Sequence, residues 1–89
     1  MDQKEFVKQL SKAIVEKKLV VGADRSVKLI LSKKAKLVAY SNNCPIKEKI
    51  NKNAARNKIE VYEFPESNVE LGELCKKPFR VSVVSIKGE

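Results

Sequence analysis

The apolar residues at the amino terminus recur at the spacing of a helix. Four of them share one face of a helical wheel: Phe6, Leu10, Ala13 and Ile14. Asp2, with Glu5 three residues later, resembles a capping box, in which side chains bond to the exposed N–H groups of the first turn. These positions predict a first helix over residues 2–18.

The rest of the chain alternates short apolar runs with helical patterns. Runs rich in β-branched residues predict strands over residues 19–21, 37–40, 59–64 and 81–86. Helical spacing predicts three further helices, which begin after Gly22, at Pro45 and at Ser67. Pro45 suits the first helical position because its missing N–H has no partner there, and Ser67 with Glu70 forms a second capping box.

This alternation of helices and short apolar strands is typical of α/β folds. It favours parallel pairing of the strands, right-handed crossovers and helices on both faces of the sheet. The predicted fold class is α/β: a three-layer α/β/α sandwich around a roughly four-stranded mixed sheet. A length of 89 residues suits one compact unit, so we take residues 1–89 as a single domain.

The composition narrows the possible chemistry. The chain has no histidine, only three glycines and two cysteines, Cys44 and Cys75, in separate segments. A base poised near neutral pH, a glycine-rich phosphate loop and a four-ligand zinc site are therefore all difficult to build. Four acidic residues, Glu63, Glu66, Glu70 and Glu73, are best explained by solvation of the fourth helix start. We expect no enzyme activity, no cofactor and no metal site.

Charge and hydropathy indicate where the chain acts. It carries 19 Lys and Arg against 11 Asp and Glu, a formal net charge of +8. Such a charge favours polyanions, although a solvated lysine coat is equally compatible with it. No apolar run is long enough to cross a membrane, and the amino terminus lacks the apolar stretch of a signal peptide. We therefore expect no membrane association and a cytoplasmic location.

Three loops combine residues that could bind a nucleic acid. In open α/β sheets, ligands gather at the strand end where loops lead into helix amino termini. Gly22 precedes a helix start whose N–H groups could bind phosphates, Asn43 offers both a donor and an acceptor, and Phe79 could stack on an unpaired base. The alternatives at these positions are a simple turn, a helix cap and a ring docked in the core, and they stay open here.

Five segments resemble successive motifs of one family. They are LVVGADRSVK (19–28), AKLVAYSNNCP (35–45), VYEF (61–64), NVELGELC (68–75) and KPFRVSVVSI (77–86). In this order they are similar to the ribosomal protein L-thirty-e family of archaea and eukaryotes, part of the superfamily that binds kink-turn RNA and includes L-seven-Ae. The resemblance implies a structural component of the large ribosomal subunit. Such a protein binds kink-turn ribosomal RNA through three loops at one end of the sheet, without catalysis.

The resemblance also implies the partners and the site residues. The partners are RNA and neighbouring ribosomal components in the cytoplasmic ribosome, and the free protein is expected to be a monomer. The implied RNA-binding residues are Gly22, Asp24, Arg25, Ser26, Lys28, Asn42, Asn43, Lys47, Phe79, Arg80 and Val81. Among them Asn43 reads a base, and the last three form the loop that packs against an extruded nucleotide. Asp24 departs from the family pattern, which usually has Lys or Arg there, and Lys76 replaces a usual glycine.

Two other functions fit the same chain. One is a protein-interaction module on the same fold without specific RNA binding. The other is a basic chromatin-coating protein, whose chain would end in a β-hairpin, whereas this chain is predicted to end in a helix followed by a single strand.

Overall fold

Four helices alternate with four strands along residues 2–88, which are the residues that the computed structural model describes. The elements are α1 (Gln3–Val15), β1 (Leu19–Val21), α2 (Ala23–Leu31), β2 (Ala35–Ser41), α3 (Lys47–Arg56), β3 (Glu60–Phe64), α4 (Asn68–Leu74) and β4 (Val83–Lys87). Every predicted helix and strand is therefore present. No helix within this range is both long and apolar enough to cross a bilayer.

The strands form one mixed sheet in the order β1-β4-β2-β3. Only β2 and β3 are parallel, and β4 runs antiparallel to both β1 and β2. The mixed sheet is confirmed, but the preference for parallel pairing is wrong for two of the three pairs. After the seven residues of α4, which rise only about 10 Å, the chain turns back over residues 75–82 and enters β4 at the edge where β3 ends.

Helices cover both faces of the sheet and bury two separate apolar clusters. One cluster joins α1 and α4 to the sheet around Phe6, Leu10 and Leu71. The other joins α2 and α3 to the opposite face around Ile30 and Ile50. Residues of β2 alternate between the clusters, as side chains of a strand must. The three-layer α/β/α sandwich is thus confirmed.

Two predicted boundaries are wrong because tertiary contacts decide them. Pro45 does not begin α3, which starts at Lys47, because Cys44 is buried and its N–H closes a turn on the Ser41 carbonyl. Val81 does not begin β4, which starts at Val83, because the Val81 N–H donates to the Asn68 carbonyl instead of a neighbouring strand.

The start of α4 also differs from the predicted capping box. Ser67 makes no cap bond to the helix backbone, and its hydroxyl instead donates to the Glu70 carboxylate. By contrast, the predicted cap of α1 is present, since the Glu5 N–H donates to Asp2 Oδ1 at 2.8 Å.

Two residues after the last residue of each of the four helices lies a lysine whose backbone is left-handed. In each case the N–H groups of the lysine and of the next residue donate to carbonyls of the last helical turn. The φ angles are between 56 and 59° for Lys17, Lys33, Lys58 and Lys76. An L residue with a side chain is disfavoured there by about 1 kcal/mol or more relative to glycine. The positive charge beside the helix carboxyl end offsets part of that cost.

We expect Lys33→Gly to stabilise the protein by about 0.5–1 kcal/mol, because it relieves the left-handed strain and loses only an exposed charge. For a domain of this size that corresponds to a rise in Tm of roughly 2–8 °C. Urea unfolding measures the change. Lys34→Gly is the matched control, since it removes the same charge at the next residue, where φ is not positive. Equal effects of both substitutions would refute the strain at Lys33.

Candidate nucleic-acid interface

One edge of the sheet collects four connections of the chain. Strands β1, β2 and β3 end there, and β4 begins there, because β4 is antiparallel to β1 and β2. We call this edge the loop edge and define it as residues 22–26, 41–47, 65–68 and 76–82. All three loops singled out in the sequence therefore meet on one side of the molecule.

Gly22 opens α2 with a backbone that other residues rarely adopt. Its φ is 117°, and the space where a side chain would begin is open. The Gly22 carbonyl accepts from the Ser26 N–H, while no side chain of Gly22 can cap the helix. The N–H groups of the first turn of α2 thus face the loop edge and suit an anionic ligand.

The Asn43 side chain is exposed but held in one orientation. Its Oδ1 accepts from the Ser41 hydroxyl at 2.7 Å and from the Asn68 N–H at 3.2 Å. Because both bonds use the oxygen, the amide NH2 group is left to donate outward. The alternative of a cap for α3 is wrong: Asn43 instead caps the first turn of α4.

Asn42 fastens one loop to the next. Its Nδ2 donates to the Pro65 carbonyl at 2.9 Å, and its backbone N–H donates to the Glu66 carbonyl at 3.1 Å. One of the two Nδ2 donors of Asn42 is thus used within the protein, which fixes the side chain, while the second donor and Oδ1 form no hydrogen bond within residues 2–88.

Phe79 projects from the loop between α4 and β4. It is 56% exposed, so the alternative of a ring docked in the core is wrong. The absence of a side chain at Gly72 allows this loop to approach α4 closely, because a methyl group there would overlap the Phe79 carbonyl oxygen. The Val81 N–H bond to the Asn68 carbonyl, 3.1 Å long, fastens the other end of the loop to α4.

An open hollow joins the first and the last of these loops. Its volume is about 550 Å³, and Gly22, Arg25, Phe79 and Arg80 contribute to its lining. The hollow places N–H groups, two guanidinium groups and an aromatic ring around one space. Asn43 lies outside it, connected through Asn68, whose Nδ2 donates to the Ser82 hydroxyl at 3.4 Å.

Two predicted contact residues are buried in the protein. Ser26 has no exposed surface, and its hydroxyl donates to the Ser85 hydroxyl at 3.2 Å, so the predicted side-chain contact is wrong. Val81 is 2% exposed and belongs to the core cluster of α1 and α4. Its side chain supports Phe79 and Arg80 from below and offers no contact surface of its own.

The remaining predicted residues are exposed charges around the loops. Asp24 and Arg25 lie in the first turn of α2, and Lys47 is the first residue of α3. Lys28 is exposed but lies six residues beyond Gly22, about 9 Å along α2. It can reach only a ligand that extends past the hollow.

Sequence reasoning missed the role of Gly72. The motif ELG was visible, but the close approach of Phe79 to that glycine depends on how the loop after α4 returns. A glycine inside a helical pattern is the one signal that could have pointed to it.

The shifted titratable groups do not suit acid–base chemistry at neutral pH. Burial raises the pKa of the Cys75 thiol to about 11, and a hydrogen bond from Ser67 lowers the pKa of Glu70. Burial also raises the pKa of Tyr62. Within residues 2–88, no three potential ligand side chains lie together as a metal site. The edge is therefore equipped for binding through hydrogen bonds, charge and stacking.

Two archaeal ribosomal proteins are similar in sequence to this chain over most of its length. A large ribosomal subunit protein eL30 from Methanosarcina mazei is 35% identical over 79 residues, which cover 89% of this chain and 75% of the relative. A protein of the same name from Saccharolobus solfataricus is 35% identical over 89 residues, covering 98% of this chain and 82% of the relative.

Solved structures share the fold at lower identity. The 15.5kD RNA binding protein of Giardia lamblia superposes with a TM-score of 0.86 at 17% identity, covering all of this chain and 78% of that one. A Bacillus halodurans protein of unknown function gives 0.79 at 23% identity, covering 92% of this chain and 83% of the other. These two similarities establish the fold alone.

The sequence match also extends to a family as a whole. Residues 4–89 match the family described as "Ribosomal protein L7Ae/L30e/S12e/Gadd45". With this match and the two relatives above, the resemblance seen in the sequence motifs is confirmed. The chain belongs to the ribosomal protein L7Ae/L30e/S12e/Gadd45 family.

Proposed function

We propose that this protein is a structural component of the large ribosomal subunit that binds kink-turn ribosomal RNA through its loop edge, without catalysis. The observation that carries the proposal is the fixed, outward-facing donor of Asn43 on the same edge as the exposed ring of Phe79. The ribosomal part is supported by the two archaeal relatives, which are large-subunit proteins. The protein acts as a monomer in the cytoplasmic ribosome, beside other ribosomal components.

Different groups of the loop edge suit the phosphates and the bases of an RNA. The start of α2 and the Arg25 guanidinium suit phosphate oxygens, which fix the orientation of an RNA without reading its sequence. The Asn43 amide suits acceptors on base edges, and Phe79 offers a face to a base that has left the stack. A straight duplex hides its bases within the stack, so this combination favours an RNA that bends sharply and extrudes a nucleotide.

The reading groups are held before any ligand arrives. Asn43 is fixed by two hydrogen bonds, and the loop of Phe79 packs closely against Gly72 and is fastened by the Val81 N–H bond to the Asn68 carbonyl. A site that is already ordered loses less conformational entropy on binding. This rigidity favours recognition of one RNA shape over adaptation to many.

A protein-interaction module remains the second candidate function, and one feature favours it. Val69, 41% exposed, and Phe79 are two of the large apolar residues that are exposed in residues 2–88. They line the same hollow of about 310 Å³ beside α4. Exposed apolar groups of this kind also bind proteins, so the experiments below include Val69.

We expect Asn43→Asp to leave folding stability nearly unchanged and to weaken kink-turn binding roughly 5- to 150-fold. The carboxylate can still accept from Ser41 and Asn68, but the donor to the base edge is lost, which typically costs about 1–3 kcal/mol. Binding is measured by titration of a labelled kink-turn RNA. The matched control is Lys8→Gln, an exposed site on α1 with the same change in net charge. Equal effects of both substitutions would show that charge alone explains the loss.

We expect Phe79→Ala to weaken kink-turn binding by a similar factor while the salt dependence stays unchanged, because stacking releases no counterions. The exposed ring contributes little to the core, so unfolding should change by less than about 1 kcal/mol. Val69→Ala is the control from the same hollow. If Phe79→Ala and Val69→Ala both bind kink-turn RNA as the wild type does but both lose binding to a protein partner, the interaction module is favoured.

We expect Gly72→Ala to weaken RNA binding although Gly72 is buried and contacts no ligand. Its methyl group must displace the Phe79 carbonyl, and such overpacking costs about 1–3 kcal/mol of stability. The control is Ile50→Val in the other core cluster, which costs about 0.5–1.5 kcal/mol without touching this loop. If both variants bind kink-turn RNA as the wild type does, the position of the loop is not part of recognition.

A further inference from the structure

The edge of the sheet opposite the loop edge is rich in lysine. Helices α1, α2 and α3 end there, β1, β2 and β3 begin there, and β4 ends there. The turns over residues 16–18, 32–36 and 87–88 contain one acidic residue, Glu16, and six lysines. We call these six the lysine edge: Lys17, Lys18, Lys33, Lys34, Lys36 and Lys87.

Backbone hydrogen bonds fix these turns against one another. The Lys87 N–H donates to the Lys18 carbonyl at 2.9 Å, and the Gly88 N–H donates to the Lys34 carbonyl at 2.7 Å. A hollow of about 580 Å³ lies among them, with Lys36 and Lys87 in its lining and Glu16 as its acidic residue. The lysines of three chain segments therefore share a single surface.

Helix ends explain only part of this charge. Lys17 and Lys33 follow α1 and α2, where a cation interacts favourably with the helix carboxyl end. Lys36 and Lys87 instead lie in the strands β2 and β4, next to a register shift between Ala35 and Leu37. Like charges on neighbouring strands repel one another. No helix carboxyl end lies next to Lys36 or Lys87 in the chain to offset that repulsion.

Three of the lysines have no acidic partner in the part of the chain that is described. Lys34, Lys36 and Lys87 are exposed, and none of their side chains forms a hydrogen bond or an ion pair within residues 2–88. The loop edge carries five basic residues against two acidic ones, Asp24 and Glu66, whereas the turns of the lysine edge carry six against one. The excess of positive charge is therefore larger on the side away from the loop edge.

The chemistry of the lysine edge points to phosphates. An ammonium group is a point charge without the planar fork that arginine uses to read a base or a carboxylate. No aromatic ring or side-chain amide occurs in these turns, and Gln9 is the one side-chain amide in the lining of the hollow beside them, so contacts from lysine to phosphate predominate there. We propose that the lysine edge binds the phosphate backbone of a second, double-helical RNA segment while the loop edge holds its own RNA.

The two edges lie far enough apart to act separately. Strand β2 spans the sheet from one edge to the other with seven residues, a length of about 20 Å. At physiological salt the Debye length is about 8 Å. Salt therefore screens most of the repulsion between RNA bound at one edge and RNA bound at the other. One protein molecule can then join two RNA segments.

The test compares two triple variants with the same loss of charge. Lys34→Gln with Lys36→Gln and Lys87→Gln removes three charges from the lysine edge. The control, Lys4→Gln with Lys8→Gln and Lys52→Gln, removes three exposed lysines from α1 and α3. The probe is a labelled RNA duplex of about 20 base pairs without a kink, titrated at several salt concentrations, with the fold of each variant checked by circular dichroism.

We expect the lysine-edge variant to bind the duplex at least tenfold more weakly, with a salt slope smaller by about 2–3 units, because each lost phosphate contact removes about 0.9 unit in duplex nucleic acid. The control should lose less than one unit. Wild-type protein saturated with unlabelled kink-turn RNA should still bind the labelled duplex. Equal losses in the two triple variants would overturn the proposal, as would displacement of the duplex in step with kink-turn binding. Failure to bind kink-turn RNA at all would count against the proposed function only, since the comparison of variants on the duplex does not use that RNA.

Discussion

The antiparallel return of β4 between β1 and β2 is the constraint on which the site depends. Because β4 runs antiparallel to β1 and β2, it begins at the edge where the other three strands end. The loop before β4 is thereby brought beside Gly22 and against α4, where Gly72 leaves room for the Phe79 carbonyl. With parallel pairing throughout, that loop would begin its strand at the opposite edge, and the loops could not meet.

Stability and recognition are coupled through Asn43. Its oxygen caps α4 and binds the Ser41 hydroxyl, and the same two bonds leave the amide NH2 group facing outward. The cap thus orients the proposed base-reading group at no further entropic cost, because one side chain is immobilised for both purposes. Aspartate could keep the two bonds to the protein but not the outward donor, whereas an amide supplies an acceptor to the protein and a donor to a ligand from one side chain.

The sequence predicted what depends on local patterns and missed what depends on distant partners. Apolar periodicity located every helix and strand, and the resemblance of motifs located the loops. Ser26 was taken as a contact residue because its burial depends on Ser85, which lies 59 residues away. The boundary at Val81 and the close contact of Gly72 likewise follow from how β4 returns, and no local pattern encodes that return. For Phe79 the sequence left exposure and burial equally open, and only the packed loop decides between them.

The placement of charge separates affinity from selectivity. Phosphate contacts strengthen binding to any nucleic acid, and they do so equally for right and wrong partners. Lys47, Lys76 and Lys77 lie in the loop edge together with Asp24 and Glu66, so that edge has a smaller excess of positive charge than the lysine edge. Under the two proposals made above, the lysine edge supplies most of the affinity that does not depend on RNA shape, and discrimination falls to hydrogen bonding and stacking at the loop edge. The net charge of +8 is thus divided unequally between the two edges.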